Sequence, residues 1–262
     1  MHGEAKSLFI IPPSTAYRQE GLAYWKKYRT YSEYNYLGSG IIPFLKKQHF
    51  EEALRLTKNF FHKCNVIDFG CGDGIFLYSL ARHFTNVIGV DYSPSSIEIA
   101  LKVVAQLCLG NVKLICNNKL SMDYVKTSMT ENYHIMYLLE TLEHVGDNAM
   151  LYKSKINFLK ELFTLLDDGG LIVISVPKMS GISFLIQRFG LMTFRMHREP
   201  ISIINLLKAS LLEDTSDLEK QWNGGHLGFN HKKLEAYLRD EFQIVKKKNL
   251  LFQVLYVIRE RN

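Results

Sequence analysis

The chain has 262 residues, 47% of them hydrophobic and 22% charged, with a formal net charge of +6. That composition suits an ordinary globular protein with one large α/β core; no run approaches the ~20 apolar residues of a membrane span, and Met1 to Ser7 lack a secretory pattern, so a cytoplasmic protein is expected. The lysines and arginines are scattered, which argues against a nucleic-acid partner, and the four cysteines (Cys64, Cys71, Cys108 and Cys116) form neither a disulfide framework nor a zinc pattern.

Residues 8–60 are rich in aromatics, among them Tyr17, Tyr24, Trp25, Tyr28, Tyr31, Tyr34 and Tyr36. Residues 1–60 read as an N-terminal helical lid. From Asn65 to Pro177, short β-branched runs alternate with helical patterns, which predicts a parallel sheet covered by helices over 61–178. Strands are expected at 66–69, 87–90, 112–116, 133–138 and 171–176. Helices are expected at 75–84, after the Ser93-Pro94 cap, and at 152–166, where Gly169-Gly170 ends the turn. Residues 179–230 read as a second lid. A helix over 232–239 and strands over 242–245 and 250–258, an antiparallel pair, complete the core in 231–262. The whole predicts a Rossmann-like, doubly wound, mostly parallel seven-stranded sheet with an antiparallel C-terminal strand.

A glycine-rich turn after a first strand lets backbone N–H groups approach a ligand at a helix N-terminus. Asp91, at the tip of the second strand, is placed to accept hydrogen bonds from two ribose hydroxyls. Dinucleotide binders use G-x-G-x-x-G, whereas here the spacing is G-x-G-x-G, with Ile75 after Gly74. Asp68 precedes the glycines; it would repel a pyrophosphate but accept a hydrogen bond from an ammonium. The chemistry favours an amino-acid-bearing nucleoside.

Val66-Ile67-Asp68-Phe69-Gly70-Cys71-Gly72-Asp73-Gly74 resembles the first motif of class I S-adenosylmethionine-dependent methyltransferases. The resemblance spans about 62–178, through Gly89-Val90-Asp91-Tyr92-Ser93, the 138–145 segment and Gly169-Gly170. It implies that Asp68, Gly70, Cys71, Gly72 and Gly74 hold the methionyl part of S-adenosylmethionine, Asp91 the ribose, and that Tyr92 flanks the adenine. Asn117-Asn118 stand where the family usually has an aspartate for the adenine amino group, and an amide oxygen can accept that bond. Leu139 matches a pocket-lining position.

The segment Leu138 to Val145 gathers Glu140, Glu143 and His144. On a helical turn these three would share one face and suit a divalent cation such as magnesium. The segment resembles the E-x-x-E-H pattern of the ubiquinone-biosynthesis O-methyltransferases, and a related pattern in small-RNA 2′-O-methyltransferases holds magnesium. In other relatives no metal binds, the glutamate caps backbone donors and the histidine faces the substrate; both readings stay open. His144 is the first candidate for general base, with Glu143 beside it and His226, in a glycine-flanked loop, as a further candidate.

The function expected is S-adenosylmethionine-dependent methyl transfer, with O-methylation of a small or lipid-like acceptor. The alternatives are an NAD-dependent Rossmann oxidoreductase, which Asp68 and Ile75 disfavour, and a non-catalytic cofactor-binding subunit. Residues 183–196 (Phe184, Leu185, Ile186, Phe189, Leu191, Met192 and Phe194, with Arg188 and Arg195 among them and Arg198 just beyond) read as a peripheral membrane contact, a buried lid or a dimer contact.

Overall fold

In a computed structural model the described residues are 7–18, 29–119, 121–147, 149–193 and 200–261. Tyr24, Trp25, Tyr28, Phe194, Arg195, Met196 and Arg198 from the lid readings lie outside them, as do the side chains of Leu191 and Met192. Seven strands form one sheet: β1 (Val66–Phe69), β2 (Val87–Asp91), β3 (Val112–Cys116), β4 (Ile135–Leu139), β5 (Leu171–Pro177), β6 (Phe242–Asn249) and β7 (Gln253–Glu260). Their order is β3-β2-β1-β4-β5-β7-β6. β1 runs parallel to β2 and β4, β2 runs parallel to β3, and β6 is antiparallel to β7. Every residue of β1, β2 and β4 is buried, the reason these strands read as continuous apolar runs.

Two compact units interleave along the chain. The first comprises 1–139 and 164–173; the second comprises 140–163 and 174–262. The first holds α1 (Tyr31–Asn35), α2 (Ile41–Thr57), α3 (Leu77–His83), α4 (Pro94–Gln106) and α5 (Met122–Ser128). α4 starts as its sequence dictates, since the Ser93 hydroxyl accepts from Ser96 N at 3.3 Å and Pro94 needs no partner for an N–H it lacks. α1 starts with a capping box, Thr30 and Glu33 satisfying each other's backbone N–H groups. Phe9, ahead of β1, and Phe76, after it, both stack on Phe50 with ring centroids 5.0 Å apart. Each such pair contributes about 0.5–1.5 kcal/mol beyond its burial. Tyr17 and Tyr36 are buried as well, while Tyr31 is exposed.

The second unit holds a short 3-10 turn (Leu142–His144), α6 (Leu151–Phe163), α7 (Gly181–Thr193), α8 (Ile203–Leu207), a π-helical turn (Lys208–Leu212), α9 (Ser216–Glu219) and α10 (His231–Glu241). Asn230 caps α10, its Oδ1 accepting from Lys232 N at 3.0 Å and Lys233 N at 3.4 Å. β6 runs on to Asn249, beyond the predicted end at 245, because Lys246, Lys247 and Lys248 pair with Val257, Tyr256 and Leu255 after a bulge at Val245. β6 ends the strand order, and lysines are the residues that protect an exposed edge. Among the described residues no helix is long and apolar enough to cross a membrane.

Candidate functional site

In the first unit, the strand order reverses where β1 lies between β2 and β4, and open α/β sheets bind ligands beyond the carboxyl ends of the strands at such a point. The loop that leaves β1 there turns through Gly70 (φ 84°), Gly72 (φ 56°) and Gly74 (φ 88°), conformations that favour glycine. Gly70 N and Cys71 N donate to the Val90 carbonyl at 2.7 and 3.0 Å, which ties the loop to β2. A methyl group at Gly74 would press on Ala100 and Leu77 at 3.3 Å, whereas at Gly72 it would meet open space. Gly74 therefore serves close packing, and Gly72 leaves room beside the backbone.

Asp91 is mostly buried. Its Oδ2 accepts from Gly72 N and its Oδ1 from Ser93 N, both at 2.9 Å, and the Tyr92 N–H adds a third bond, so the carboxylate braces the loop without using all of its lone pairs. Asp68 is buried too, and its Oδ2 has no hydrogen-bond partner. Burial, with the Asp91 charge adding to it, pushes the Asp68 carboxyl up to about 8. A buried carboxyl with one unpartnered oxygen, beside open backbone, suits a cationic ammonium. Cys71 in the same loop is buried, and burial with three neighbouring acids raises its thiol well above the usual range. Leu139 closes β4, Tyr92 is 69% exposed and Asn118 is exposed. Asn117 is buried; its Oδ1 already accepts from Ser121 N at 2.9 Å, which leaves one lone pair for an adenine amino group.

One contact of this loop has no counterpart in the sequence reading. Asp73 accepts from Ser32 N at 2.8 Å and from the Ser32 hydroxyl, which ties the loop to α1. Nothing in the sequence pointed from Ser32 to Asp73.

In the second unit, the sequence grouping of Glu140, Glu143 and His144 needs correction. Glu140 sits in the left-handed region (φ 51°), its N–H donates to the Ser175 carbonyl at 3.1 Å and its Oε1 accepts from the Ser175 hydroxyl at 2.9 Å. The helical turn begins only at Leu142, so Glu140 does not share its face. The group that does assemble is Glu143, His144 and His226, whose ligand atoms lie within 4.8 Å of one another. His226 Nδ1 and His144 Nε2 are 3.5 and 3.8 Å from Glu143 Oε1. His144 Nδ1 donates to the Gly224 carbonyl at 2.5 Å. A carbonyl only accepts, so the neutral ring keeps its Nε2 lone pair toward the glutamate.

Glu143 is fully buried, and both of its carboxylate oxygens lack a hydrogen-bond partner. Burial pushes its carboxyl up to about 8, against the opposing charge of Lys155. Lys155 is itself buried in the apolar face of α6, where burial brings its amine down to about 8. Its Nζ donates to the Glu143 and Val145 carbonyls at 3.0 and 2.6 Å and lies 4.6 Å over the Trp222 ring. Trp222 Nε1 in turn donates to the Gly225 carbonyl at 2.8 Å. One lysine thus joins the Glu143 turn to the loop that carries His226.

A family described as methyltransferase domain matches residues 41–215, most of the chain. The chain belongs to the class I S-adenosylmethionine-dependent methyltransferases. This methyltransferase is 30% identical over 115 residues to EEF1A lysine methyltransferase 2 from Homo sapiens, covering 42% of this chain and 46% of that protein. It is 30% identical over 130 residues to ubiquinone biosynthesis O-methyltransferase from Colwellia psychrerythraea, covering 50% and 48%. The methyltransferase spans about half the length of these curated relatives. Among solved structures, small RNA methyltransferase HEN1 has a TM-score of 0.58 at 17% identity, over 86% of this chain and 26% of that one. The N-methyltransferase NodS from Bradyrhizobium japonicum in complex with S-adenosyl-l-homocysteine has a TM-score of 0.51 at 14% identity, over 83% and 88%. These structural likenesses show the Rossmann-like fold. Membership of this family sets aside the nicotinamide alternative, and the cofactor is S-adenosylmethionine.

Proposed function

We propose that this methyltransferase methylates a hydroxyl oxygen of a small or lipid-like acceptor, with Glu143, His144 and His226 forming a divalent-cation site. The observation that carries the reading is Glu143, whose two carboxylate oxygens are buried and unpartnered between two imidazoles. A buried charge left in that state is costly, and a cation offsets the cost. Two nitrogens and a carboxylate oxygen fit a borderline cation such as manganese or zinc better than magnesium, which prefers an all-oxygen shell. Such a cation would lower the pKa of a bound hydroxyl.

For the cofactor, Asp68 would accept from the methionyl ammonium and the Gly70, Cys71, Gly72 and Gly74 backbone would face the methionyl group. Asp91 would take the ribose hydroxyls on its remaining lone pairs, with Tyr92, Asn117, Asn118 and Leu139 around the adenine. In the reaction the acceptor oxygen attacks the methyl carbon, the carbon–sulfur bond breaks toward the neutral thioether, and the hydroxyl proton leaves to a base. Without a cation in the site, His144 Nε2, whose lone pair is free, is the group of this chain that takes that proton. The aromatic and apolar character of the segments outside the core favours an apolar acceptor over a nucleic acid.

The test is turnover on hydroxyl acceptors against lysine-containing peptides, the acceptor class in the name of the human relative. Glu143→Gln should lower turnover by about 10²–10⁴-fold while S-adenosylmethionine affinity holds. Chelation should lower turnover at least about tenfold, to the level His144 alone supports, and added manganese or zinc restore it. Full activity after exhaustive chelation, or methylation confined to amines, would defeat the reading.

A further inference from the structure

The second unit contains a cavity of about 590 Å³ that shares no residue with the Glu143 cluster. It is walled by the segment after β5, by Glu213, by one side of α10 from His231 to Arg239 and by the end of β6. Gly181, Ile182 and Ser183 line it and form the first turn of α7, a helix of 13 residues, whose leading N–H groups have no partner within the helix.

Two side chains lining the cavity are buried with an unsatisfied polar atom. Ser180 is 3% exposed and its hydroxyl has no hydrogen-bond partner. His231 is 6% exposed and its Nδ1 has none. Buried polar atoms without partners are rare in folded proteins, and two on one cavity wall point to a missing polar occupant.

The charge around the cavity fixes the sign of that occupant. Lys178, Lys232, Lys247 and Arg239 line it, against the carboxylates Glu213 and Glu235. Glu213 pairs with Lys232 at 2.5 Å, and Glu235 with both Lys247 at 2.5 Å and Arg239 at 2.7 Å, so two carboxylates stand against four cationic groups and the excess charge is positive. The excess is felt inside: burial lowers the Lys178 amine, and the Lys247 and Lys232 charges lower it further. Burial, aided by Lys178, Lys232 and Lys247 and opposed by Glu213, brings the His231 ring down to about 4. A cation would add to this repulsion, and an apolar group would leave the Ser180 and His231 atoms unsatisfied.

We propose that this cavity binds a phosphate group, held by the first turn of α7, the Ser180 hydroxyl, His231 and the lysines around them. A phosphate offers acceptor oxygens in several directions, which matches donors arriving from a helix end, a hydroxyl, an imidazole and flexible ammonium groups. The phosphate belongs either to a soluble phosphomonoester or to a lipid headgroup. Ile182, on the cavity wall, begins a row of exposed apolar residues along α7 with Ile186 and Phe189, against which acyl chains could lie.

The full chain is titrated with inorganic phosphate at constant ionic strength and followed by amide and imidazole NMR. The expected result is saturable binding that shifts the amides of Gly181, Ile182 and Ser183 and raises the pKa of the His231 ring, with chloride producing neither. Removing two charges in K232Q/K247Q should weaken phosphate binding by about tenfold or more. S180A, which keeps every charge, should also weaken it, and amide spectra of both variants that keep the parent's dispersion outside the cavity report that they fold. Sedimentation with phosphatidylcholine vesicles, with and without phosphatidic acid, distinguishes the sources. Acid-dependent capture that K232Q/K247Q loses assigns a lipid headgroup, and phosphate binding without capture assigns a soluble ligand. Absence of saturable shifts, or shifts that both variants retain in full, overturns the proposal.

Discussion

Asp68 burdens the folded protein in a way its proposed partner would relieve. Its carboxyl stands at about 8, against about 3.9 for an exposed aspartate. Between those two values the folded chain holds a proton that the unfolded chain has released, so its contribution to stability falls as pH rises through that window. Asp68→Asn removes the titration while keeping the shape. Thermal melts of the cofactor-free protein at pH 8 should show the variant more stable by at least about 2 °C, with the advantage gone near pH 4. The same variant should bind S-adenosylmethionine at least about tenfold more weakly, since the ammonium loses its anion. A variant equal to the parent in both measurements would show that Asp68 stays neutral and is no part of the cofactor site.

The elements around the second cluster depend on one backbone position. Gly228 has φ 89°, and a Cβ there would approach the Leu218 carbonyl oxygen to 2.5 Å, with backbone rather than a pliable side chain in the way. Gly228→Ala should cost about 2–5 kcal/mol in denaturant unfolding, from the left-handed conformation and the clash together. It should also lower turnover, because Gly228 closes the loop that carries His226, whereas Gly224→Ala, where a Cβ meets nothing, should cost only the conformational part.

At this same scale the sequence was uneven as a guide. β1, α3, β2 and α4 were legible because fully buried parallel strands and a capped helix leave strong local patterns. The short α5 was not, and the lysines of β6 hid the second half of an edge strand whose start at 242–245 was legible. Glu143 and His144 were legible from their neighbours, but the membership of the cluster was not. Glu140 turns away through a backbone conformation that no residue type announces, and His226 arrives from a distant loop. Lys155 could have been found. It interrupts the apolar face of α6 formed by Leu151, Tyr152, Ile156 and Leu159, and a lysine in that position has to bury its amine against something.

Across the molecule, the residues proposed for the cofactor all fall in the first unit, and those of the Glu143 cluster and the phosphate cavity in the second. The chain passes from one unit to the other at 139–140, 163–164 and 173–174, so neither unit is a continuous stretch of sequence. A division at 60, 178 and 230, natural on the sequence, follows composition; the compact units cut across it and even divide β5. The thiol of Cys71, finally, has a practical consequence. It is enclosed at the back of the glycine loop, where a Cβ on Gly89 would come within 3.1 Å of its sulfur, while Cys108 is exposed in the turn that follows α4. Alkylation needs an accessible thiolate, so a maleimide applied to the native protein should modify Cys108 and spare Cys71, as peptide mapping by mass spectrometry would report. A fluorophore attached that way would sit outside the loop and leave cofactor affinity unchanged.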